Sequence, residues 1–220
     1  MIPLDKISAV LWDMDGVLAD TGEYHYQAMV SILASFRIEF SRENYLQTFG
    51  TNIQNVLTVT LGEPPTGKFV QEIILAQGMA FCNLIKGELQ LLPGVLEALG
   101  YFKSRGIQQA IASSSVDFVI QATIDEIRIK EFFIKVISGA HLPPKPNPDI
   151  FLHAADSLQI PVKDCLVIED SPSGIMGANS AGMHSLAVTN THPHSELQMA
   201  DGVVNSLQDL FGPSEVKNNL

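Results

Sequence analysis

Short apolar runs alternate with longer amphipathic segments between residues 95 and 204, and this alternation constrains the fold more than any other feature of the sequence. A short apolar run predicts a strand that is buried on both faces, and the segments between the runs predict helices. Because parallel strands need crossover helices that pack against the sheet, we predict an α/β protein with helices on both faces of a parallel sheet. The predicted strands are 109–112, 132–138, 165–168, 185–188 and 202–204, and the predicted helices are 95–105, 116–127, 148–158 and 172–182.

A further apolar run at residues 7–11 predicts one more strand, which is separated from the others by a long segment of a different kind. Between residues 23 and 87 the apolar residues recur at helical spacing, with turn-like breaks at Gly50 and at residues 62–65. This pattern predicts about four helices. We therefore expect a core domain formed by residues 1–19 and 91–220, with an all-α domain inserted at residues 20–90.

Two aspartates, Asp13 and Asp15, follow the first predicted strand and precede Gly16. Side chains alternate along a strand, so both carboxylates are expected to start on the same side of the sheet edge. Carboxylates this close repel each other and lose hydration, which favours a site that holds a cation between them. The alternative is a solvated turn in which Gly16 takes the left-handed conformation, because Asp and Gly are common turn residues.

Three more polar clusters follow the other predicted strands. The hydroxyls and backbone N–H groups of residues 113–115 precede a helix and suit an anion, although such a serine also serves as a helix cap. Lys145 lies in a proline-rich loop whose stiff backbone suits a cation with a fixed direction; otherwise it is an exposed lysine. Glu169 and Asp170 are oxygen ligands for a hard cation, or surface acids, with Asp170 or Ser171 capping the next helix. Because open α/β sheets bind ligands beyond the carboxyl ends of their strands, all four clusters are expected at one edge.

The composition excludes several classes of function. The net charge of −11 is unfavourable for a nucleic-acid surface, which needs a basic footprint, and no apolar run is long enough to cross a membrane. Residues 1–6 lack the basic and apolar regions of a signal peptide, so we expect a cytoplasmic protein. The cysteines, Cys82 and Cys165, have no metal-ligand spacing and are expected to be reduced core thiols.

Taken in order along the chain, the four clusters carry a resemblance to a known family. They read Asp13-x-Asp15-Gly16-Val17-Leu18-x-Asp20, Ser113, Lys145-Pro146-x-Pro148-Asp149-Ile150-Phe151 and Glu169-Asp170-Ser171-x-x-Gly174. In this order they resemble the haloacid dehalogenase-like hydrolase superfamily, and more narrowly its phosphatase and β-phosphoglucomutase branch. The resemblance spans nearly the whole chain and is weakest at about residues 40–90. It implies a three-layer, Rossmann-like core, a helical cap inserted after the first strand, and Mg²⁺ as the cofactor.

The resemblance also implies the catalytic residues. Asp13 would be the nucleophile that attacks phosphorus and forms an aspartyl-phosphate. Asp15 would be the general acid that protonates the leaving oxygen and later activates water. We expect the nearby Asp13 carboxylate to raise the pKa of Asp15, because two close carboxylates push one pKa upward.

The binding residues follow from the same resemblance. Four residues would hold Mg²⁺: Asp13 through a carboxylate oxygen, Asp15 through its backbone carbonyl, Asp170 through its side chain, and Glu169 either directly or through water. The substrate's phosphoryl oxygens would be held by Ser113, by backbone N–H groups near Ser114, and by Lys145.

Substrate choice is expected to depend on the cap, where the sequence is less informative. His25 matches a histidine of both phosphatases and mutases in this branch, and it would either face the substrate or pack within the cap. Mutases of this type carry a lysine and an arginine around a cap glycine, which grip the second phosphate of a bisphosphate. The matching residues 49–53 contain neither cation, which weakens the mutase interpretation. His192 and His194, in a loop similar to one near the active face of related phosphatases, are expected to be solvated rather than metal ligands.

The sequence therefore predicts a monomeric, Mg²⁺-dependent phosphatase of small phosphorylated metabolites. A phosphosugar mutase of the β-phosphoglucomutase type is the first alternative, and a non-catalytic protein that binds a phosphorylated ligand is the second. Neither a nucleic acid nor a membrane is expected as a partner.

Overall fold

A six-stranded parallel sheet forms the centre of the protein, and the computed structural model describes residues 2–48 and 51–210. The strands are β1 Ala9–Trp12, β2 Gln108–Ser113, β3 Lys135–Ser138, β4 Cys165–Glu169, β5 His184–Val188 and β6 Gly202–Val204. Their spatial order is β3-β2-β1-β4-β5-β6, and each pair of neighbours is parallel. The chain therefore builds one half of the sheet outward from β1 and then returns to build the other half. In such a sheet, the crevice beyond the carboxyl ends of β1 and β4 is where ligands bind.

Helices cover both faces of this sheet and give three layers. Val10 and Trp12 of β1 belong to a core cluster that includes α5 Val95–Ser104 and α6 Asp117–Glu126. Ala9 and Leu11 point to the opposite face, where they pack with α7 Asp149–Leu158 and α8 Pro172–Ser180. All four side chains are fully buried. The predicted α/β architecture is confirmed. Because successive side chains of β1 are buried on opposite faces of the sheet, every residue of this strand is apolar.

The predicted strands and helices agree with the observed ones except for small differences at their ends. The largest difference is at β3, which was predicted from residue 132 but begins at Lys135. Residues Lys130–Phe132 form a 3₁₀ turn instead. Phe132 in that turn and Phe133 just after it pack against the core, so this segment has the apolar character of a strand.

Four helices follow β1 and form the predicted cap: α1 Gly22–Ser35, α2 Arg42–Thr48, α3 Ile53–Leu61 and α4 Gly67–Leu84. They enclose a hydrophobic cluster of their own, whose buried members are Met29, Leu33, Phe40, Val56, Leu57, Val70 and Ile73. The two segments that join the cap to the core lie side by side, because Ala19 forms an antiparallel bridge with Leu91. On this basis we propose residues 20–90 as a separate domain inserted into the core.

Both cysteines are free thiols, as predicted. Cys165 is buried in β4, where burial raises the pKa of its thiol to about 11. Cys82 is only half-buried.

None of the helices within residues 2–48 and 51–210 combines the length and apolar character that crossing a membrane requires.

Gln109 is a buried polar residue that links three parts of the core. Its side-chain oxygen accepts a hydrogen bond from the Trp12 indole at 3.1 Å, and its amide donates to the Leu99 carbonyl at 3.1 Å. Gln109→Ala is expected to lower the free energy of unfolding by about 2–4 kcal/mol, because two buried polar groups lose their partner. Urea denaturation would measure this change. The matched control is the half-buried neighbour Gln108, whose replacement by alanine should change stability by less than about 1 kcal/mol; equal losses would contradict the prediction.

Candidate active site

Asp13 lies at the point where β1 ends, between β2 and β4. Its backbone N–H donates to the Ile168 carbonyl at 2.9 Å and so extends the pairing with β4 by one residue. Its side chain is buried, with only 7% of the residue exposed. The Lys145 ammonium group donates to Asp13 Oδ1 at 2.5 Å and to Glu169 Oε1 at 2.7 Å. Lys145 is therefore a buried cation between two carboxylates, and the alternative of an exposed loop lysine is wrong.

Glu169 joins this lysine to the start of α8. Its Oε2 accepts hydrogen bonds from the backbone N–H groups of Asp170 and Ser171, both at 2.7 Å, and from the Ser171 hydroxyl at 2.9 Å. Ser171 is the residue that caps α8, because its hydroxyl oxygen accepts from the Gly174 N–H at 3.1 Å. Of the two caps considered for this helix, Ser171 is confirmed and Asp170 is wrong. Asp170 lines the cavity instead.

Two glycines allow these acidic groups to approach the backbone. A Cβ atom on Gly174 would lie 1.7 Å from Glu169 Oε1, and one on Gly16 would lie 2.0 Å from Asp170 Oδ2. Gly16 also has φ +81°, which side chains rarely adopt. The predicted left-handed turn at Gly16 is thus present, but it forms part of the acidic site and is not an alternative to it.

The carboxylates of Asp13, Glu169 and Asp170 form one cluster, in which ligand oxygens lie within 4.8 Å of one another. Burial raises the pKa of Asp13 to about 7, with further contributions from the neighbouring carboxylates against the lowering effect of Lys145. Burial and the charges of Glu169 and Asp13 likewise raise the pKa of Asp170 well above its usual range. Burial also acts to raise the pKa of Glu169, but Lys145 and the α8 hydrogen bonds outweigh it, and this pKa is lowered. Three buried carboxylates beside one lysine are a donor set that fits a hard cation.

Asp15 has a different environment, which is richer in hydrogen-bond donors. Its Oδ1 accepts from the Thr21 hydroxyl at 2.5 Å and lies 3.3 Å from His25 Nε2. Its Oδ2 lies 3.3 Å from the Ser115 hydroxyl and 3.5 Å from the Ser113 hydroxyl. Burial acts to raise the pKa of Asp15, but these partners outweigh it and the pKa is lowered. The expectation of a raised pKa at Asp15 is therefore wrong for this structure. The raised value is found at Asp13, because hydrogen-bond donors surround Asp15 while carboxylates surround Asp13.

His25 reaches Asp15 from the cap. It lies on α1, stacks on Phe81 of α4 with ring centroids 4.0 Å apart, and has Nδ1 3.0 Å from the side-chain nitrogen of Gln77. Because an amide nitrogen donates, Nδ1 accepts, and the ring proton is at Nε2 beside Asp15. His25 thus both packs within the cap and faces the site, so the two interpretations of this residue are combined.

A cavity of about 290 Å³ lies between the core and the cap. Its lining includes Asp13, Asp15, His25, Ser114, Lys145, Glu169 and Asp170. Ser113 is fully buried behind the cavity surface, and its hydroxyl lies 3.5 Å from Asp15 Oδ2. Phe49 and Gly50, which belong to the segment compared with the mutases, lie outside the described residues. All the predicted site residues are therefore in or directly behind one cavity.

Comparison with known proteins agrees with this arrangement. The family model described as haloacid dehalogenase-like hydrolase matches residues 10–188. The chain belongs to this family. Hexitol phosphatase B of Escherichia coli (strain K12) is 29% identical over 93% of this chain and 95% of that protein. The β-phosphoglucomutase of Bacillus subtilis (strain 168) is 32% identical over 93% of this chain and 92% of that protein.

The similarity extends to the fold. The crystal structure of CbbY from Rhodobacter sphaeroides in complex with phosphate has a TM-score of 0.85 and 26% identity, and the match covers 96% of this chain and 99% of that one. The prediction of a haloacid dehalogenase-like enzyme of the phosphatase and mutase branch is confirmed.

Several residues of one loop in this haloacid dehalogenase-like protein contact the acidic site in ways that the sequence did not predict. Thr191 donates through its hydroxyl to Asp170 Oδ2 at 2.5 Å, and the Asn190 amide donates to the Gly16 carbonyl at 2.8 Å. His192 Nδ1 lies 3.1 Å from the Asp170 carbonyl, so this histidine contacts the site's backbone and does not belong to the acidic cluster found in the described residues. The resemblance of this loop to one near related active sites was the only available signal.

Proposed function

We propose that the protein is a Mg²⁺-dependent phosphatase that hydrolyses small phosphorylated metabolites through an aspartyl-phosphate on Asp13. One observation carries the proposal. Asp13 lies at the carboxyl end of the central strand, hydrogen-bonded to Lys145, next to the buried carboxylate of Asp170 and open to the cavity. The names of the relatives, which include a hexitol phosphatase and a pseudouridine-5'-phosphatase, support a phosphorylated small molecule as the substrate.

Asp13 is the group that would attack phosphorus, and for this its carboxyl group must be ionised. An ionised carboxylate is the nucleophile, whereas burial and the neighbouring acids favour its protonated form. Lys145 opposes this effect and orients Asp13 through its hydrogen bond. The ligands proposed for Mg²⁺ are Asp13, Asp170, the Asp15 carbonyl and Glu169. When bound, Mg²⁺ would supply positive charge that favours the ionised nucleophile and offsets repulsion by the phosphoryl oxygens.

Asp15 would carry the proton that the leaving oxygen needs. In the substrate-free structure its pKa is lowered, but a phosphoryl dianion beside it would raise that pKa by repulsion. His25 holds a proton at Nε2, 3.3 Å from Asp15, and Thr21 donates to the same oxygen. These contacts orient Asp15 for protonation of the leaving group and for the later activation of water. Ser113, the N–H groups near Ser114, and Lys145 would hold the phosphoryl oxygens.

Two measurements test this function. With an aryl phosphate as substrate, phosphate release should require Mg²⁺ and stop when a chelator is added. Borohydride reduction of the quenched enzyme should convert the phosphorylated residue into a homoserine, which peptide mass spectrometry should locate at position 13. Phosphate release without a reducible acyl phosphate on the enzyme would contradict the proposed intermediate.

A phosphosugar mutase is the second candidate, because the β-phosphoglucomutase of Bacillus subtilis is among the relatives. An assay with β-glucose 1-phosphate and a bisphosphate primer separates the two activities. Isomerised sugar phosphate without net phosphate release would favour the mutase. A non-catalytic protein would produce neither product, and it would bind a phosphorylated ligand unchanged.

Mg²⁺ binding is expected to strengthen as the pH rises, because Asp13 then loses its proton. Because its pKa is raised to about 7, Asp13 holds a proton below that pH and releases it above. Protons therefore compete with the metal, and Mg²⁺ affinity should fall roughly tenfold between about pH 8 and about pH 6. Calorimetry in two buffers of different ionisation enthalpy would report both the affinity and the protons released. Affinity that is unchanged over this range would contradict the prediction.

A further inference from the structure

We propose that the cap wall of the cavity selects monophosphate esters of uncharged alcohols and rejects substrates that carry a second anionic group. This inference rests on the proposed phosphatase function and adds the class of leaving group. It is carried by the chemistry of the side chains that face Asp13 across the cavity.

Five apolar side chains form one part of the cap wall. Met29, Phe40, Ile53, Val56 and Ile74 line the cavity from the cap helices and their connections. Met29, Phe40 and Val56 are also members of the hydrophobic cluster of the cap, so packing fixes their positions. A leaving group placed against these five side chains would lose water without gaining polar partners, which penalises a charge far more than an aliphatic or hydroxylated carbon chain.

The polar groups of the cap wall are largely engaged with the protein itself. The Tyr45 hydroxyl donates to the Gly22 carbonyl at 2.9 Å, and the Thr51 hydroxyl donates to the Thr48 carbonyl at 2.6 Å. Asn52 accepts from the Asn55 N–H and so caps α3, while the Gln77 amide donates to His25. The hydroxyls of Tyr45 and Thr51 would have to give up these acceptors before they could donate to a second phosphate. An Asn or Gln amide can still donate, but it is uncharged and binds an anion more weakly than a lysine or arginine does.

The charged side chains that line the cavity also disfavour a second anionic group on the substrate. Among the described residues, Lys145 is the only lysine or arginine that lines the cavity, and Asp13 and Glu169 already use it. Phe49 and Gly50, which are not described, carry no charge. Carboxylates of Asp13, Asp15, Asp20, Glu169 and Asp170 line the same space. One phosphoryl group beside Lys145 and a divalent cation has charged partners, whereas a second anion at the cap wall would meet apolar atoms, uncharged polar groups and a negative field.

The inference is tested with pairs of substrates that differ in one charged group. Sorbitol 6-phosphate and 6-phosphogluconate share a six-carbon chain and differ in a terminal carboxylate, while glucose 1-phosphate and glucose 1,6-bisphosphate differ in a phosphate. We expect kcat/KM to be at least about tenfold higher for the member without the second anion, as for the loss of one charge-assisted contact. Equal values, or a preference for the doubly charged member, would overturn the inference.

A variant with a cation added to the cap wall tests whether this wall causes the discrimination between the two kinds of substrate. Thr51 is exposed and lines the cavity, so Thr51→Lys adds a charge to the wall. It should raise the relative kcat/KM for 6-phosphogluconate by about tenfold. Gln54→Lys is the matched control, because Gln54 is also exposed but does not line the cavity. This control should keep the wild-type ratio; a ratio that Thr51→Lys also leaves unchanged would overturn the inference.

Binding separates this inference from the proposed function. Calorimetry with Asp13→Asn and the same two six-carbon compounds measures selection without turnover. If no substrate is hydrolysed but sorbitol 6-phosphate binds at least about tenfold more tightly than 6-phosphogluconate, the phosphatase function fails and the selection stands. If turnover occurs but neither kcat/KM nor binding discriminates between the pair, the function stands and the selection is overturned.

Discussion

Asp13→Asn is expected to lower kcat on an aryl phosphate by about four orders of magnitude, because an amide cannot serve as the nucleophile. Asparagine has nearly the same shape and keeps an oxygen that can accept from Lys145, which donates to Asp13 at 2.5 Å in the wild-type structure. The fold should therefore remain intact. The variant should be at least as stable as the wild type without metal, because one of three clustered carboxylates is removed.

The measurement combines phosphate release with thermal unfolding in the presence of a chelator. Asp125→Asn is the control, since Asp125 is an exposed residue on α6 whose ion pair with Lys130 is 3.8 Å long and exposed. It should keep wild-type activity within about twofold. Retention of substantial activity by Asp13→Asn would remove Asp13 from the role of nucleophile and with it the proposed function.

Lys145→Met should have the largest effect on stability and should also abolish activity. Only 6% of the lysine side chain is exposed, and its ammonium group lies between Asp13 and Glu169. The neighbouring carboxylates outweigh burial and raise the pKa of Lys145, so the lysine is charged at neutral pH. Its removal leaves buried carboxylates without their cation, which should cost about 3–5 kcal/mol of unfolding free energy without Mg²⁺.

A second variant distinguishes loss of the charge pair from loss of packing. Glu169→Gln combined with Lys145→Met removes a buried charge together with its partner, so about 1–3 kcal/mol of the stability should return. Activity should stay absent, because the phosphoryl group still lacks its lysine. Lys163→Met, which changes an exposed lysine, should alter stability by less than about 1 kcal/mol. If the double variant is less stable than Lys145→Met by the full cost of Glu169→Gln alone, the two residues are not energetically coupled.

The sheet could be predicted from sequence because its four central strands are buried on both faces and are therefore nearly continuous apolar runs. The run at β1 is apolar throughout, and the structure buries its alternate residues in two different clusters. The positions of Asp13, Asp15, Ser113, Lys145 and Asp170 followed from the same rule, since parallel strands end at one edge. Topology alone therefore brought residues from distant parts of the chain to one cavity.

The electrostatic properties of the site could not be read from sequence in the same way. From the sequence, the raised pKa was expected at Asp15. In the structure Lys145 and the carboxylate of Glu169 lie beside Asp13, whereas the side chains of His25, Thr21 and Ser115 surround Asp15. Thr191 and Gln77 act through side-chain geometry across long stretches of chain, which neither periodicity nor spacing reveals. These contacts determine the pKa values, so the raised value at Asp13 was found only in the structure.

The bridge between Ala19 and Leu91 bears on how this protein could acquire a different specificity. The Leu92 N–H also donates to the Leu18 carbonyl at 3.0 Å, so the polypeptide enters and leaves the cap at a single place. We propose that the segment between these neighbouring junctions can be exchanged as one module if the exchanged segment keeps Thr21 and His25, the partners of Asp15. Recombination with the cap of a relative at this pair of junctions would then transfer the substrate-facing wall in one step.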